Sequence, residues 1–296
     1  MAALPSLRQL QYLVALSEQL NFTRAAESCF ITQSTLSAAL KELEAVLGAS
    51  LVERDRQTVL MTPTGMAVVE RARTILSQTQ DLADFAAGAG EPMTGLLRLG
   101  VIPTIAPFLL PRTMHLLRER YPSLRLVLRE DLTANLLARL VSGELDFALI
   151  ALPFDTGKLL VEPLFDDDLW LVGRKDDPEL KTRRVSVTQS LSDRMLLLEE
   201  GHCLREHALY ACSGPSHPSA EGVEATSLLT LVEMVESGLG VGLVPEMAVR
   251  SRLTDSPGLL ARPLLKPSPK RTIALVARPS TSRLADLRVL AEIIAA

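Results

Sequence analysis

Cysteine is scarce in this chain of 296 residues: Cys29, Cys203 and Cys212 are all of it. Three thiols cannot staple a chain this long, which excludes a disulfide framework. The expected compartment is therefore the reducing cytoplasm, where any disulfide is transient and so regulatory or catalytic. Aromatic residues make up only 4%, with a single tryptophan, so Leu, Ala and Val must fill the cores. No apolar run reaches the roughly 18–20 residues that a membrane helix needs. Met1 to Arg8 lacks the basic region and apolar core of a secretion signal. No membrane partner is expected. An excess of positive charge is missing too, since 31 Lys and Arg face 35 Asp and Glu for a net charge of −4. That argues against a protein that coats nucleic acid indiscriminately, but it leaves room for a small DNA-reading module.

What is present is 47% apolar residues over a length that allows two or three domains. Leu7, Leu10, Leu13, Val14 and Leu16 have helical spacing, and Asn21-Phe22-Thr23 interrupts it. A short helix is predicted from Arg24 to Cys29, then a turn, then a third helix from about Ser34 to Leu47 that ends at Gly48. Leu36, Leu40, Leu43 and Leu47 form the expected core stripe of that helix. Opposite the stripe lie Gln33, Ser34, Thr35, Ser37, Ala38 and Lys41, small or polar side chains that suit a groove. Two short helices joined by a tight turn, the second carrying such a face, read as a helix-turn-helix. The bland alternative is a three-helix domain with a solvated face. Residues 1–62 hold Arg8, Arg24, Lys41, Arg54 and Arg56 against six acidic side chains. Phosphate contacts must then come from placement and helix N-termini rather than bulk charge. Cys29 is expected in the core of this head.

Thr62-Pro63 supplies a helix cap and a first-turn proline. The helix that follows should reach about Ala87, with Val69, Leu76 and Ala83, offset by Ala72, Thr79 and Ala86, forming a seam for a second copy. Packing of this helix on its own domain is the alternative. Gly88-Ala89-Gly90-Glu91-Pro92 reads as a hinge. Beyond it, apolar runs alternate between strand and helix character: strands at 96–102, 124–129 and 146–151, helices at 106–120 and 134–141. A second set starts near Leu169. The pattern predicts an α/β unit with a parallel sheet, closed by a strand at 272–277 and a helix at 284–295.

Between Glu200 and Cys212 stand two of the three cysteines, nine positions apart. Good helix formers from Leu204 to Ala211 predict a helix. Over it Cys203 and Cys212 would be separated by roughly 13.5 Å. A disulfide needs Cα atoms within roughly 7 Å, so that helix and that bond exclude each other. Cys203 at the helix N-terminus gains from the dipole, and His202 and Arg205 can add positive charge, all favouring a thiolate. Three readings stay open: two packed cysteines, a redox pair, or a metal site using Cys203, His207 and Cys212.

The stretches Phe22-Thr23-Arg24-Ala25-Ala26-Glu27, Thr32-Gln33-Ser34-Thr35-Leu36-Ser37, Leu51-Val52-Glu53-Arg54 and Leu60-Met61-Thr62-Pro63-Thr64-Gly65 resemble the head of the LysR-type transcriptional regulators. Ser34 stands where that family usually has proline. Leu198-Glu199-Glu200-Gly201-His202-Cys203-Leu204-Arg205-Glu206, with a cysteine nine residues after Cys203, resembles the hydrogen-peroxide-sensing subgroup. The resemblance implies a winged helix-turn-helix over residues 1–62, a linker and dimerisation helix with its hinge over 63–92, and a sensor over 93–296. That sensor would be a two-lobed, periplasmic-binding-protein-like α/β domain, lobe I about 93–165 and 271–296, lobe II about 166–270. It implies a regulator, not an enzyme, with no cofactor, whose partners are double-stranded DNA, hydrogen peroxide and further copies of itself, as a dimer and then a tetramer. Cys203 and Cys212 would be the redox pair, with Thr104, Thr133, His202, Arg205 and Arg271 binding or activating peroxide. DNA contacts would come from Arg24, Thr32, Gln33, Ser34, Thr35, Ser37, Ala38, Lys41, Arg54 and Arg56. The competing functions are a family member answering a small organic metabolite, a thiol peroxidase, and a metal-binding regulator.

Overall fold

The computed structural model describes residues 4–54, 59–87, 92–211, 224–266 and 268–296. The trace divides into two compact units, Met1–Ala89 with Val141–Glu144, and Gly90–Leu140 with Leu145–Ala296.

In the first unit, α1 (Leu7–Gln19) starts from a capping box, with Ser6 accepting from the Gln9 N–H and the Gln9 side chain accepting from the Ser6 N–H. Helix α2 (Phe22–Ser28) starts two residues earlier than expected, because the Asn21 carboxamide accepts from the N–H groups of Thr23 and Arg24. Helix α3 (Gln33–Leu47) is capped by Thr32 and closed by Gly48, whose left-handed φ of +66° suits a residue without a β-carbon. Leu36, Leu40 and Leu43 are fully buried, whereas Leu47 is 38% exposed and leaves the expected stripe where the helix runs out of its neighbours. Cys29, at the C-cap of α2, is half-buried rather than in the core.

Strands β1 (Val52–Arg54) and β2 (Val59–Met61) pair antiparallel as the wing. Helix α4 (Pro63–Ala87) follows, with the predicted bounds. Val69 and Ala72 are 1% exposed and join the cluster of Leu13, Leu16 and Leu40, with Leu76 packed against it. The first half of the expected seam is thus used inside the unit, and Arg73 reinforces this by pairing with Glu18 at 3.0 Å. Among the described residues, the large apolar side chains that α4 leaves exposed are Met66, Ile75 and Leu82, the last two one heptad apart, and Ala83 of the expected seam is exposed too.

The second unit is a mixed α/β structure with one continuous, curled path of strands. In chain order it contains β3 (Gly95–Val101), α5 (Ala106–Arg120), β4 (Leu124–Glu130), α6 (Thr133–Ser142), β5 (Phe147–Leu152) and β6 (Leu160–Arg174). Then come a 3-10 turn at Pro178–Leu180, α7 (Gln189–Ser192), β7 (Met195–Leu196), α8 (Cys203–Ala211), α9 (Leu228–Glu236), β8 (Val241–Pro245) and α10 (Glu246–Arg250). Strands β9 (Leu259–Pro263) and β10 (Lys270–Ala277) and helix α11 (Leu284–Ala295) complete it.

Strand order is β4-β3-β5-β10-β6-β8-β7, with β9 also on β6. The parallel pairing predicted from the alternation holds for β3 with β4 and β5, and for β7 with β8. The pairs β10–β5, β10–β6 and β6–β8 are antiparallel. The 15-residue β6 is the reason, since its first half pairs with β10 and its second half with β8 and β9. Two cores follow from this crossing strand. One gathers Leu97, Leu99, Phe147, Leu149, Ile273 and Leu290, and the other Leu169, Leu171, Leu196, Leu231, Val241 and Leu243.

Candidate functional site

Helix α8 joins the two cores. Cys203 packs with the first cluster, while Leu204 and Ala208 pack with the second. Gly201, just before the helix, has φ +92°, and a β-carbon there would lie 2.9 Å from Leu132 Cδ1. Glycine therefore lets the start of α8 approach the start of α6.

Arg271 is the centre of the site and is wholly buried. The β10–β6 register sets it opposite Asp167. Its Nε donates to Asp167 Oδ2 at 3.0 Å, one terminal nitrogen donates to Thr104 Oγ1 at 2.7 Å, and the other donates to the Thr104 carbonyl at 3.0 Å. That second terminal nitrogen also lies 2.9 Å from Asp167 Oδ2. Asp167 is anchored further by the Met247 N–H at 3.0 Å, at the start of α10. Burial pushes the Asp167 carboxyl up, and Arg271 and the Met247 N–H pull it back only in part. A buried charge pair this well bonded fixes the guanidinium in one place.

Cys203 is 7% exposed at the first position of α8. Burial pushes its thiol above the ordinary value. The Arg271 charge, the Thr104 hydroxyl and the N–H groups of Leu204 and Cys203 pull in the other direction without prevailing. The expected thiolate-favouring dipole is there, but desolvation of a charge outweighs a few partial charges. The expected help from His202 and Arg205 is not there. Burial pushes the His202 imidazole down, against a weaker pull from Glu199, so it is neutral at pH 7. One terminal nitrogen of Arg205 donates to the Leu198 carbonyl at 2.8 Å and to Glu224 at 2.6 Å. Arg205 thus secures the approach to α8 rather than the thiol.

Neither threonine acts as a plain helix cap. The Thr104 hydroxyl serves Arg271 and Cys203, and α5 starts after Ile105 without a side-chain cap. Thr133 is 1% exposed and its hydroxyl has no hydrogen-bond partner, while Asp131, just before α6, accepts from the Leu132 N–H at 2.9 Å and from the Asn135 side chain at 2.7 Å. His207, one turn beyond Cys203, is also buried with both ring nitrogens outside hydrogen-bond geometry. Burial and then Arg271 hold its imidazole below the ordinary value, opposed by nearby carbonyls of Leu152 and Cys203. A buried arginine, the Thr104 hydroxyl and the Cys203 thiol thus converge, and the hydroxyl of Thr133 and the imidazole of His207 are buried with hydrogen-bonding capacity unused. Cys212 lies outside the described residues. Among the described residues no three His, Cys, Asp or Glu side chains cluster as metal ligands.

Sequence reasoning passed over Asp167. Asp166-Asp167-Asp168 sits on a strand, where alternation sends the middle residue to the opposite face. Its outward neighbour Asp166 instead pairs with Lys270 and accepts from the Thr272 hydroxyl at 2.7 Å.

In the head, Arg24, Gln33, Ser34, Thr35, Ala38 and Lys41 are exposed and Ser37 is half-exposed. Thr32 is exposed too, but its hydroxyl is committed to the cap, lying 2.8 Å from Thr35 Oγ1 and accepting from the Thr35 N–H at 3.2 Å. Arg54 ends β1, with its side chain outside the described set, and Arg56 lies outside the described residues altogether.

Comparison with known proteins gives the family of the chain. Residues 7–66 match the family described as bacterial regulatory helix-turn-helix protein, lysR family, and residues 90–296 match the LysR substrate binding domain. The chain is 46% identical over 294 residues to the HTH-type transcriptional regulator EstR of Acinetobacter baylyi, covering 99% of this chain and 97% of that one. It is 42% identical over 277 residues to a hydrogen peroxide-inducible genes activator of Dickeya chrysanthemi, covering 93% of this chain and 90% of that one. Among solved structures it resembles a full-length OxyR from Pseudomonas aeruginosa carrying a cysteine-to-aspartate substitution. That likeness has a TM-score of 0.80 at 37% identity, over 99% of this chain and 95% of the other. With both domains matched in order along nearly the whole length, this chain belongs to the LysR family of DNA-binding transcriptional regulators.

Proposed function

We propose that this regulator answers hydrogen peroxide through Cys203. The observation that carries the reading is the convergence of Arg271 and the Thr104 hydroxyl on a thiol at the N-terminus of α8. Peroxide held by Thr104, Thr133 and Arg271 would present one oxygen to the sulfur. The Cys203 thiolate attacks it, the O–O bond breaks, and the other oxygen leaves as hydroxide, stabilised by the guanidinium and protonated to water. Sulfur is oxidised to sulfenic acid and peroxide is reduced. The Cys212 thiolate then displaces that hydroxyl as hydroxide, which takes up a proton to become water, and a disulfide forms. The relatives named for peroxide-inducible genes and the OxyR structure support the same reading.

Unwinding of α8 would carry the signal. An intact helix sets Cys203 and Ala211 about 12 Å apart, beyond what a bond from residue 203 to residue 212 tolerates. Oxidation therefore pulls Leu204 and Ala208 from the second core. Tyr210 is already 78% exposed, so little burial is lost there. In this reading the head at 1–62 reads DNA with Gln33, Ser34, Ser37 and their neighbours. Residues 63–92 pair two copies in the cytoplasm through the exposed Ile75–Leu82 face of α4, and two such pairs form a tetramer. The sensor at 93–296 divides into lobes at about 165 and 271.

Intact-mass measurement with and without stoichiometric peroxide tests it. The wild type should lose two hydrogens, Cys203→Ser should stay unchanged, and Cys212→Ser should stop at one added oxygen. An unaltered wild-type mass would overturn the reading in favour of a small organic ligand. Peroxide turnover with a thiol reductant would favour a thiol peroxidase, and retained zinc a metal-binding regulator.

A further inference from the structure

The turn between α2 and α3 closes as a Schellman motif. The Phe30 N–H donates to the Glu27 carbonyl and the Ile31 N–H to the Ala26 carbonyl, each at 3.0 Å. Phe30 takes the left-handed position of that motif, at φ +57°. Glycine or asparagine is the usual residue there, because a β-carbon crowds the following carbonyl. The turn needs the conformation but not a phenylalanine. Nor does the core need one, since Ile31 packs inward while Phe30 is 96% exposed, the most exposed large apolar side chain among the described residues. A disfavoured backbone conformation spent on a solvated aromatic ring points to a partner.

Its place identifies the partner. Phe30 lies two residues before Thr32, the cap of α3, and so beside the end of the helix that carries Gln33 and Ser34. Helices of this kind enter the major groove by their N-terminal residues, so a side chain just outside that end meets the sugar-phosphate strand bordering the groove. Residues 1–62 carry five basic against six acidic side chains. Coulombic attraction is therefore weak, and an apolar anchor adds affinity that charge does not supply. We infer that Phe30 is a DNA contact, its ring laid against deoxyribose on that strand. The inference rests on the DNA-reading role of the head.

Duplexes selected by the full-length wild type from a random pool test it. Phe30→Gly should bind them about five- to tenfold more weakly while raising the first thermal transition by about 2–4 °C, because the backbone is relieved. Phe30→Tyr, which keeps the ring, should bind within about twofold. The slope of log affinity against log salt should be the same for all three, because a ring releases no counterions. Equal affinity of Phe30→Gly and wild type would overturn the inference, as would a loss in Phe30→Tyr as large as in Phe30→Gly. A changed oligomeric state of the DNA-free variants would also overturn it, by placing the ring on a second copy. Failure of the wild type to select any duplex would sink the DNA-reading role itself, and this inference with it.

Discussion

Replacing Arg271 by leucine is the most demanding test of the sensor. The guanidinium is fully buried and makes three hydrogen bonds, to Asp167 at 3.0 Å and to the hydroxyl and carbonyl of Thr104 at 2.7 and 3.0 Å. Leucine removes all of them and leaves Asp167, 3% exposed, with only the Met247 N–H. Removing one partner of a buried charge pair costs about 3–5 kcal/mol. For a domain of this size each kcal/mol lowers the midpoint by about 2–4 °C, so Arg271→Leu should melt about 6–20 °C lower by calorimetry. Adding Asp167→Leu removes the stranded carboxylate and should restore at least half of the loss. The thiol should respond as well, because Arg271 is the largest influence holding it down against burial. Losing that charge pushes the thiol up further and leaves less thiolate, so peroxide should oxidise Cys203 more slowly at pH 7, as read by mass. A loss below about 1 kcal/mol would put the pair in the class of exposed salt bridges. A double variant less stable than Arg271→Leu alone would show that Asp167 is not stranded. Either result would refute the reasoning.

Amide exchange across residues 203–211 should be slow in the reduced protein and fast after peroxide, because Leu204 alone holds about 1.5–3 kcal/mol of burial against unwinding; equal exchange in both forms would remove the α8 switch. The Cys203 pKa is raised, so the thiolate is the minor form at neutral pH, and its oxidation rate should climb with pH by up to about tenfold per unit between pH 6 and 8. A rate that levels off below pH 7 would show a depressed pKa instead. Substituting Gln33 or Ser34 by alanine should change the duplexes selected from a random pool, whereas Lys41→Ala should weaken binding to all duplexes and flatten its salt dependence; an unaltered selection in the first pair would move base reading elsewhere on α3.

Local rules carried much of the fold. Gly48, Thr62-Pro63 and the leucine spacing of α1 and α3 settle helix ends and faces within a few residues of chain, and the bounds of α4, α5 and α11 match the expectation for that reason. The helix formers from Leu204 to Ala211 likewise announced α8. Tertiary structure decided what depends on distant partners. The antiparallel return of β10 and the bend of β6 from one core to the other follow from pairing across about a hundred residues, which periodicity does not report. The same holds at the site. Nothing local chooses Asp167 over Asp166 or Asp168, turns Arg205 to Glu224, or neutralises His202. Above all, the helix dipole and nearby cations promised a low thiol pKa at Cys203, and burial between two cores reversed it. Desolvation belongs to the folded neighbourhood, because it depends on how much water the whole chain removes from one atom.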